Sequence, residues 1–404
     1  MPMLAVVAFA GLFMPAGPHA AAAADRGLDY IDTSFENASA LYWLTDPNGV
    51  VHVYLNYEHE RASVNRATLH WHFGLEGRPG ADVTLILHNF DNIWNGRPGS
   101  PIDDRTISVV SPDGRNWTVV KGRKTHDNGF QLDLNLHSGR LYVARIEPYR
   151  LSDLDALKQS IAANNLVAVE TIGRTVQGRD LEIIRIGRPE APRRVLLRAR
   201  AHPWESGGNW VIEGLIERLL KDDPDARRFL DAYCLYVMPI ANKDGVARGG
   251  HRFNVRGMDL NRKWDAPPDP DLAPENRALE RWLASMIATG RRPDLAIDLH
   301  NDADGKLHIS RPDIDLDQYL AAMKRFEAML RGHTCFSEGS TGGSFRNPGS
   351  FGEGLLERFG VTACILELNA NWIAGLDDYP TAANWKNFGA RLADAFYHYF
   401  KDEP

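Results

Sequence analysis

Cysteine is scarce in this chain, and its few copies follow no recognisable pattern. The 404 residues include three cysteines, Cys234, Cys335 and Cys364, so at most one disulfide can form. Their spacing matches no cysteine zinc site. Cys234 and Cys364 fall in apolar runs and are expected to be small core residues. Cysteine usage therefore gives no indication of function.

The chain also lacks a long apolar run, an internal repeat and an excess of one charge. No stretch approaches the roughly 18 consecutive apolar residues of a membrane-spanning helix. The formal net charge of −7, from 46 basic and 53 acidic residues, gives no case for nucleic-acid binding. What the chain does have is 44% hydrophobic residues over a length greater than that of a usual single domain. This is enough for two hydrophobic cores.

The amino terminus has an apolar run over residues 3–14, followed by the small residues of AGPHAAAAAD. This order is typical of a signal peptide, although no Lys or Arg precedes the apolar run. We therefore interpret residues 1–24 as a signal peptide cleaved near residues 21–24. The predicted location is the periplasm or the exterior of the cell, and a segment that does not work as a signal would leave the protein in the cytoplasm.

Residues 28–150 are predicted to form an antiparallel β-sandwich domain. Short apolar runs alternate there with turn signals, DPNG at 46–49, SPDG at 111–114 and HDNG at 126–129. Runs of this length between turns that contain Gly and Asp are typical of strands in a two-sheet sandwich.

Residues 151–404 change to an alternation of strand-like and helix-like segments. Strand-like runs such as LEIIRIG, VLLRAR, LAIDLH and TACILEL are separated by amphipathic stretches such as NWVIEGLIERLL and NRALERWLASMIA. The alternation predicts an α/β/α domain with a largely parallel or mixed sheet. Because the junction near residues 147–154 is short, we expect the two domains to pack together.

Four polar residues stand at the ends of predicted buried strands. His202 and Glu205, in HPWE, form an H-x-x-E pair that one zinc ion can share, and His300, which closes LAIDLH, is the best third ligand. Two His and one Glu leave the fourth position of Zn²⁺ open for water, as in a catalytic rather than a structural site. Glu367 closes another apolar run and can take a proton from that water.

Each of these residues also has an ordinary interpretation. A single His or Glu at a strand end is more often a hydrogen-bonded structural residue, and the chain contains 14 histidines. Their shared position favours a site, because open α/β sheets place their ligands at the carboxyl ends of strands.

Five sequence blocks resemble, in order, those of the M14 zinc carboxypeptidases, and within that family the cytosolic carboxypeptidase-like branch. They are HPWESGGNW at 202–210, ANKDGV at 241–246, HRFNVRGMDLNRKW at 251–264, DLH at 298–300 and ILEL at 365–368. Landmarks of that branch's β-rich N-terminal domain recur as FEN at 35–37, HWHF at 70–73, LILHNF at 85–90 and RLYVARIEPYRLSDL at 140–154. The resemblance spans nearly all of residues 28–404.

The resemblance implies a metal and catalytic role for the four strand-end residues. His202, Glu205 and His300 correspond to the family's ligands of one zinc ion per chain. Glu367 corresponds to its general base and acid, so the implied reaction is hydrolysis by zinc-activated water.

The resemblance further implies three substrate contacts. Asn261 and Arg262 match the pair that holds the terminal carboxylate of the substrate. Arg252 matches the arginine that polarises the scissile carbonyl and stabilises the oxyanion. A guanidinium fork suits carboxylate binding, and a fixed cation beside zinc favours developing negative charge.

Two features depart from the family pattern. The family's N-P-D-G turn reads NKDG at 242–245, which keeps the turn-forming Asn, Asp and Gly but loses the proline. Many members use a tyrosine on a mobile loop, but no tyrosine lies between Tyr319 and Glu367. The segment 337–354, rich in Gly, Ser and Pro, is interpreted as a flexible loop in that region.

The combined prediction is a zinc-dependent metallocarboxypeptidase that hydrolyses the C-terminal residue of peptides or proteins. One alternative is a zinc amide hydrolase acting on a small acylated amino acid or a cell-wall peptide. Another is a non-catalytic binding module on the same fold. Arg346 and Arg358 are candidates for basic groups in the substrate pocket, and each could equally be a surface charge.

Overall fold

The structure is a computed structural model that describes residues 27–309, 316–342 and 346–401. Its amino-terminal part consists of short strands. The predicted signal peptide, residues 1–24, lies outside the described residues. The strands of this part are β1 (Leu28–Asp32), β2 (Leu41–Thr45), β3 (Val51–Leu55), β4 (Glu58–His59), β5 (Arg66–Ala67), β6 (His72–Gly77), β7 (Ala81–His88), β8 (Asn92–Trp94), β9 (Arg97–Gly99), β10 (Ile107–Ser111), β11 (Thr118–Lys121), β12 (Arg123–Lys124), β13 (Phe130–Leu136) and β14 (Arg140–Ala144).

Two five-stranded sheets, in the orders β1-β6-β14-β10-β11 and β12-β13-β7-β3-β2, enclose one apolar core. Burial alternates along the strands, because successive side chains point to opposite faces of a sheet. In β3, for example, Val51, Val53 and Leu55 are buried and the residues between them are partly exposed. The predicted sandwich is confirmed, with the difference that β3 and β7 pair in parallel among antiparallel neighbours.

The predicted turns and one small sheet complete this part. The turn signals at 46–49, 111–114 and 126–129 lie between β2 and β3, β10 and β11, and β12 and β13. A separate four-stranded sheet has the order β4-β5-β8-β9. Sequence reasoning did not predict this small sheet, whose strands are only two or three residues long.

Helices and strands alternate in the carboxyl-terminal part. They are α1 (Leu151–Ile161), β15 (Val167–Arg174), β16 (Asp180–Ile186), β17 (Arg193–Ala199), α2 (Gly207–Leu219), α3 (Pro224–Ala232), β18 (Tyr233–Met238), α4 (Lys243–Ala247), α5 (Pro274–Ala288), β19 (Leu295–Asp302), β20 (Leu307–His308), α6 (Leu316–His333), α7 (Phe351–Phe359), β21 (Ala363–Asn369) and α8 (Ala382–Lys401). The strands and helices predicted from periodicity are all present.

A seven-stranded mixed sheet lies at the centre of this part, in the order β15-β16-β18-β17-β19-β21-β20. Its middle strands, β18, β17, β19 and β21, are parallel. Consecutive residues of β17 enter different cores: Val195 and Leu197 pack with α2, α6 and α8, whereas Leu196 packs with α5 and α7. A sheet covered on both faces needs apolar residues at every position, which explains the continuous apolar runs. The predicted α/β/α fold is confirmed.

Side chains tie the two parts of the chain together. Buried Arg145, just after β14, donates to the carbonyl of Ala370 at 3.3 Å and to the Asn371 side-chain oxygen at 2.6 Å. Burial lowers the pKa of Arg145 to about 10. The Glu36 carboxylate accepts the backbone N–H of Leu151, the first residue of α1, at 2.6 Å. The proposed boundary between residues 150 and 151 coincides with the start of α1 and stays a prediction.

Three smaller expectations have clear outcomes. The predicted loop over residues 337–354 is too long, because α7 begins at Phe351, whose apolar side chain is buried. The cysteines are free, with Cys234 and Cys364 buried and Cys335 half-buried. Within the described ranges, no helix is both long and apolar enough to cross a bilayer.

Helices α2 and α8 approach each other closely through two glycines. A methyl group at Gly214 would lie 2.0 Å from the backbone oxygen of Lys386, and one at Gly389 would lie 1.9 Å from that of Val211. Backbone oxygens cannot move aside as flexible side-chain ends can. The absence of a side chain at both positions therefore permits this helix pair to pack.

We predict that Gly389→Ala lowers the free energy of unfolding by about 1–3 kcal/mol, the usual cost of overpacking a core. Urea denaturation followed by circular dichroism measures the change. Gly332→Ala is the matched control, since Gly332 is exposed in α6 and an added methyl would meet no described atom within 4 Å. The control should match or exceed wild-type stability. Equal stability of Gly389→Ala and wild type would contradict the packing argument.

Candidate functional site

The four predicted strand-end residues meet at the carboxyl edge of the central parallel strands. His202 and Glu205 lie between the end of β17 and the start of α2, whereas His300 belongs to β19 and Glu367 to β21. His300 and Glu367 are register partners on adjacent parallel strands. Side chains at paired positions project from the same face of a sheet. The structure therefore brings together residues separated by 165 positions in the sequence, from His202 to Glu367.

Three of these side chains form a tight triangle of ligand atoms. The Nδ1 atom of His202 lies 2.8 Å from Glu205 Oε1 and 3.1 Å from His300 Nδ1. His300 Nδ1 lies 2.7 Å from Glu205 Oε2. All three residues are buried, at 3%, 3% and 1% relative exposure, so water does not separate these polar atoms.

The opposite nitrogen of each histidine contacts an aspartate. His202 Nε2 lies 3.1 Å from Asp259 Oδ1, and His300 Nε2 lies 2.7 Å from Asp298 Oδ2. An ionised carboxylate only accepts hydrogen bonds, so each Nε2 carries the proton and donates it. The Nδ1 lone pairs then point into the triangle. A carboxylate that fixes the histidine tautomer in this way is the usual outer partner of a metal-ligating histidine.

The charges of both aspartates are compensated within the protein. Burial alone would raise the pKa of Asp298, but Arg198 and His300 outweigh it and hold the pKa below its usual range. Arg198 donates to Asp298 at 2.9 and 2.6 Å, and both side chains are fully buried. Asp259 shows the same balance, because Arg252 and His202 outweigh burial and keep its pKa well below the usual range.

The triangle fits a zinc ion. Zinc bonds of about 2.0–2.2 Å in a tetrahedral arrangement place nitrogen and oxygen ligands roughly 3.3–3.6 Å apart. The observed separations of 2.7, 2.8 and 3.1 Å are shorter than this spacing, so the side chains would move slightly apart to admit the ion. Two nitrogen lone pairs and a carboxylate at such distances repel one another unless a metal ion or a proton lies among them. His202, Glu205 and His300 could thus hold a metal, and theirs is the only fully buried group of three such candidates among the described residues.

Glu367 provides an unpaired carboxylate oxygen beside this triangle. Its Oε2 atom is buried and has no hydrogen-bond partner among the residues that the structure describes. Burial, followed by the nearby charge of Asp302, raises the pKa of Glu367 well above its usual range. A carboxyl group with a raised pKa is suited to accept and release a proton near neutral pH.

A cavity of about 620 Å³ opens onto these groups and is lined by the remaining predicted residues. Arg252, Asn261 and Arg262 all reach its wall. Arg252 forms an ion pair with Asp259 at 2.9 Å. The side-chain oxygen of Asn261 accepts the backbone N–H of Phe351 at 3.0 Å, which leaves its amide NH₂ group as the end that can donate to a ligand.

Of the two arginines suggested for the pocket, only Arg346 lines the cavity. It also forms an ion pair with Glu353 at 3.3 Å. Arg358 points elsewhere: it donates to the backbone oxygens of Trp264 and Ala266 and pairs with Glu280 at 2.9 Å. The suggestion of Arg358 as a pocket residue is therefore wrong.

Sequence reasoning missed several residues of this site. Asp298 stands two positions before His300 on the same strand, and the period of two could have indicated that both face one side. Asp259 precedes Asn261 by the same interval. The amino-terminal part of the chain also supplies cavity walls, among them Arg66, Asn92 and Trp94. These three residues carry no signal in the local sequence that links them to a distant site.

Part of the chain resembles known sequences of one family. Residues 152–305 match the family model for zinc carboxypeptidases, Peptidase_M14. Human cytosolic carboxypeptidase 1 is 38% identical over 106 residues, which are 26% of this chain and 9% of that protein. Human cytosolic carboxypeptidase 2 is 33% identical over 134 residues, which are 30% of this chain and 15% of that protein. The matches thus span less than a fifth of the length of these two relatives.

Solved structures extend the likeness to the whole fold. A metallo-carboxypeptidase from Burkholderia cenocepacia has a TM-score of 0.80 and 22% identity, over 92% of this chain and 98% of that one. A metallo-carboxypeptidase from Pseudomonas aeruginosa, in complex with (2-guanidinoethylmercapto)succinic acid, has a TM-score of 0.74 and 23% identity over 91% and 98%. At this identity the likeness establishes the fold. Both the β-sandwich and the α/β/α part lie within the aligned region.

These comparisons confirm one prediction and contradict another. The resemblance to the zinc carboxypeptidases is confirmed, and the family and the names of the relatives support a peptide hydrolase. The predicted export to the periplasm or beyond is contradicted, because the curated relatives are named cytosolic carboxypeptidases. An apolar run without a preceding Lys or Arg was a weak basis for that prediction, which we withdraw.

Proposed function

We propose that this chain, which carries a domain of the zinc carboxypeptidase family, is a zinc-dependent metallocarboxypeptidase that removes the C-terminal residue of a peptide or protein. The observation that carries the proposal is the triangle of His202, Glu205 and His300 beside the unpaired oxygen of Glu367. Hydrolysis of an amide needs a group that activates the carbonyl and a base for water, and the cavity presents candidates for both. Arginines on the same cavity supply a site for a negatively charged substrate terminus.

His202 and His300 are proposed to hold the metal through Nδ1, and Glu205 through its carboxylate. When bound, Zn²⁺ polarises a carbonyl group and lowers the pKa of water towards about 7. Asp259 and Asp298 fix the two imidazole rings by accepting their Nε2 protons. The ligand atoms are therefore oriented before the ion arrives, which reduces the cost of forming the site.

Glu367 is proposed as the general base and then the general acid. Its raised pKa favours uptake of a proton from water during attack on the scissile carbonyl. The same carboxyl group then protonates the departing amine, so the carboxylate is regenerated after each turnover. A positioned acid or base contributes about 10²–10⁴-fold to a rate.

Arg252, Asn261 and Arg262 are proposed to bind the substrate. Arg252 is a fixed cation on the cavity wall, where it can stabilise the negative oxygen that develops on the scissile carbonyl. The Arg262 guanidinium and the Asn261 amide can donate to the terminal carboxylate. That contact fixes the distance from the chain end to the cleaved bond, and so makes the enzyme an exopeptidase.

The first prediction from the proposed function concerns metal content. Purified wild-type protein should contain one zinc ion per chain, and His300→Ala should lose most of it, because a two-ligand site binds weakly. Elemental analysis after dialysis measures the ratio. His137→Ala, a substitution of an exposed histidine far from the cavity in the sandwich, is the control and should keep the ion. Full zinc retention by His300→Ala would rule out the proposed ligand set.

The second prediction concerns the base. Glu367→Gln should fold and keep zinc while kcat falls by about 10²-fold or more, since the amide preserves shape but cannot accept the proton. Steady-state kinetics on a peptide with a free C-terminus measures the loss. Glu357→Gln, at an exposed position of α7, is the control and should retain wild-type rates. Turnover of Glu367→Gln within about tenfold of wild type would exclude this residue as the base.

The third prediction concerns the substrate terminus. Amidation removes one carboxylate oxygen and the charge, at a cost of roughly 2–5 kcal/mol for a buried charge pair. At about 1.4 kcal/mol per decade, kcat/KM should fall about thirtyfold to several thousandfold for the amidated peptide. Arg262→Lys should show much of this loss on the free peptide with unchanged zinc, because an ammonium cannot form the same fork.

Equal cleavage of free and amidated peptides by wild-type protein would contradict the exopeptidase assignment. That result would favour a zinc amide hydrolase acting on internal or acylated bonds. Absence of any turnover in a protein that holds zinc would instead favour a binding module. The three readouts, zinc content, turnover and terminus preference, therefore separate the candidate functions.

A further inference from the structure

A hairpin from the amino-terminal part of the chain reaches into the cavity. Strands β8 and β9 are joined by Asn95 and Gly96, both with positive φ angles, 50° and 73°. Two consecutive residues of this kind form the tight turn that suits the twist of a hairpin. Trp94, the last residue of β8, lines the cavity together with the catalytic candidates of the other part of the chain.

The Trp94 ring contacts both arginines that are proposed to bind the substrate. The guanidinium carbon of Arg252 lies 4.0 Å from the ring centroid, and that of Arg262 lies 5.3 Å from it. Both distances fall within the roughly 6 Å at which the negative face of an aromatic ring attracts a cation. One indole therefore contacts two positive side chains.

The two arginines need such a common partner. Burial lowers the pKa of Arg262, and the positive charge of Arg252 lowers it further, whereas Asp259 raises it. Asp259 is the nearest counter-charge, but its Oδ2 is bound by Arg252 and its Oδ1 contacts His202. Asp259 thus serves Arg252, His202 and Arg262, and Glu60 and Glu367 contribute smaller effects that raise the pKa of Arg262. The indole face provides additional negative potential between two like charges.

The backbone of Arg252 is held by the same part of the chain. The Glu58 carboxylate accepts the N–H of Arg252 at 2.7 Å and that of Phe253 at 3.0 Å. The preceding residue, His251, accepts the backbone N–H of His70 through Nδ1 at 2.8 Å and donates from Nε2 to the backbone oxygen of Asn56 at 2.8 Å. With the backbone fixed, the Trp94 ring and Asp259 determine where the guanidinium lies.

We propose that Trp94 is a positioning residue for the substrate-binding arginines, so that the amino-terminal part of the chain, through its four-stranded sheet, forms one wall of the active site. This inference rests on the proposed function. The indole holds Arg252 and Arg262 side by side and facing the cavity. The substrate therefore meets two guanidinium groups that are already oriented, Arg262 for its terminal carboxylate and Arg252 for its scissile carbonyl, which reduces the cost of binding.

Binding measured without turnover tests the role. In a Glu367→Gln background, isothermal titration calorimetry gives the affinity for one peptide with a free C-terminus and for its amide. Replacing Trp94 by Leu removes the aromatic face and keeps an apolar side chain, whereas Trp94→Phe keeps an aromatic face. Leucine should weaken binding of the free peptide by about threefold to thirtyfold, with much less effect on the amide. Phenylalanine should restore most of the preference for the free terminus.

Trp117→Ala is the control, because Trp117 belongs to the same amino-terminal part of the chain but contacts His72, outside the cavity. It should leave the free-to-amide ratio unchanged. Zinc content and the thermal midpoint of unfolding are recorded for every variant, because they distinguish a general loss of folding from a specific loss of binding. A purely structural role for Trp94 would lower binding of both peptides equally and would affect Phe and Leu variants alike.

The inference is overturned if Trp94→Leu keeps the wild-type preference for the free terminus, or if Phe and Leu behave identically. If the Trp94→Leu protein does not fold, the Trp94→Phe variant decides. The inference requires that this variant keeps the preference for the free C-terminus over the amide. Failure of the proposed function has a different signature. In that case the parent protein itself shows no preference for the free C-terminus, whatever residue stands at position 94.

Discussion

The candidate site depends on the compensation of buried charge around His202, Glu205 and His300, whose ligand atoms lie about 3 Å apart. Asp298 accepts from both His300 and Arg198, and Asp259 accepts from both His202 and Arg252. Both aspartates are buried, and removal of one partner of a buried ion pair costs about 3–5 kcal/mol. These pairs therefore fix the imidazole tautomers and leave the Nδ1 lone pairs for a cation. They also hold the proposed metal ligands in position before an ion binds.

The same charge network joins the two parts of the chain. Arg252 connects Asp259, in the α/β/α part, with Glu58 and Trp94 in the amino-terminal part. Arg145 adds a second buried connection, to Ala370 and Asn371 just beyond β21, the strand that carries Glu367. The amino-terminal part therefore contacts the site at two places. Because residues of both parts line the cavity, the amino-terminal part contributes directly to the candidate site.

Much of this fold could be predicted because its signals are local and periodic. The apolar runs that end at His300 and Glu367 indicate buried strands, and parallel strands bring their carboxyl ends to one edge. Trp94 could not be found in the same way, since NIWNGR reads only as a hairpin and its partners lie more than 150 residues away. The NKDG turn is a second case in which local sequence does not reveal a long-range contact. Lys243 is buried and pairs with Glu182, a compensation across 61 positions that no local pattern reveals.

The central claim is that one zinc ion is held by two imidazole nitrogens and one carboxylate. X-ray absorption spectroscopy at the zinc edge tests it most directly on the purified protein. We expect a first shell of nitrogen and oxygen atoms at about 2.0–2.2 Å, with the outer scattering of two imidazole rings and no sulfur near 2.3 Å. Because all three cysteines lie outside the triangle, a sulfur shell would contradict the account. So would a shell of oxygen atoms without imidazole scattering.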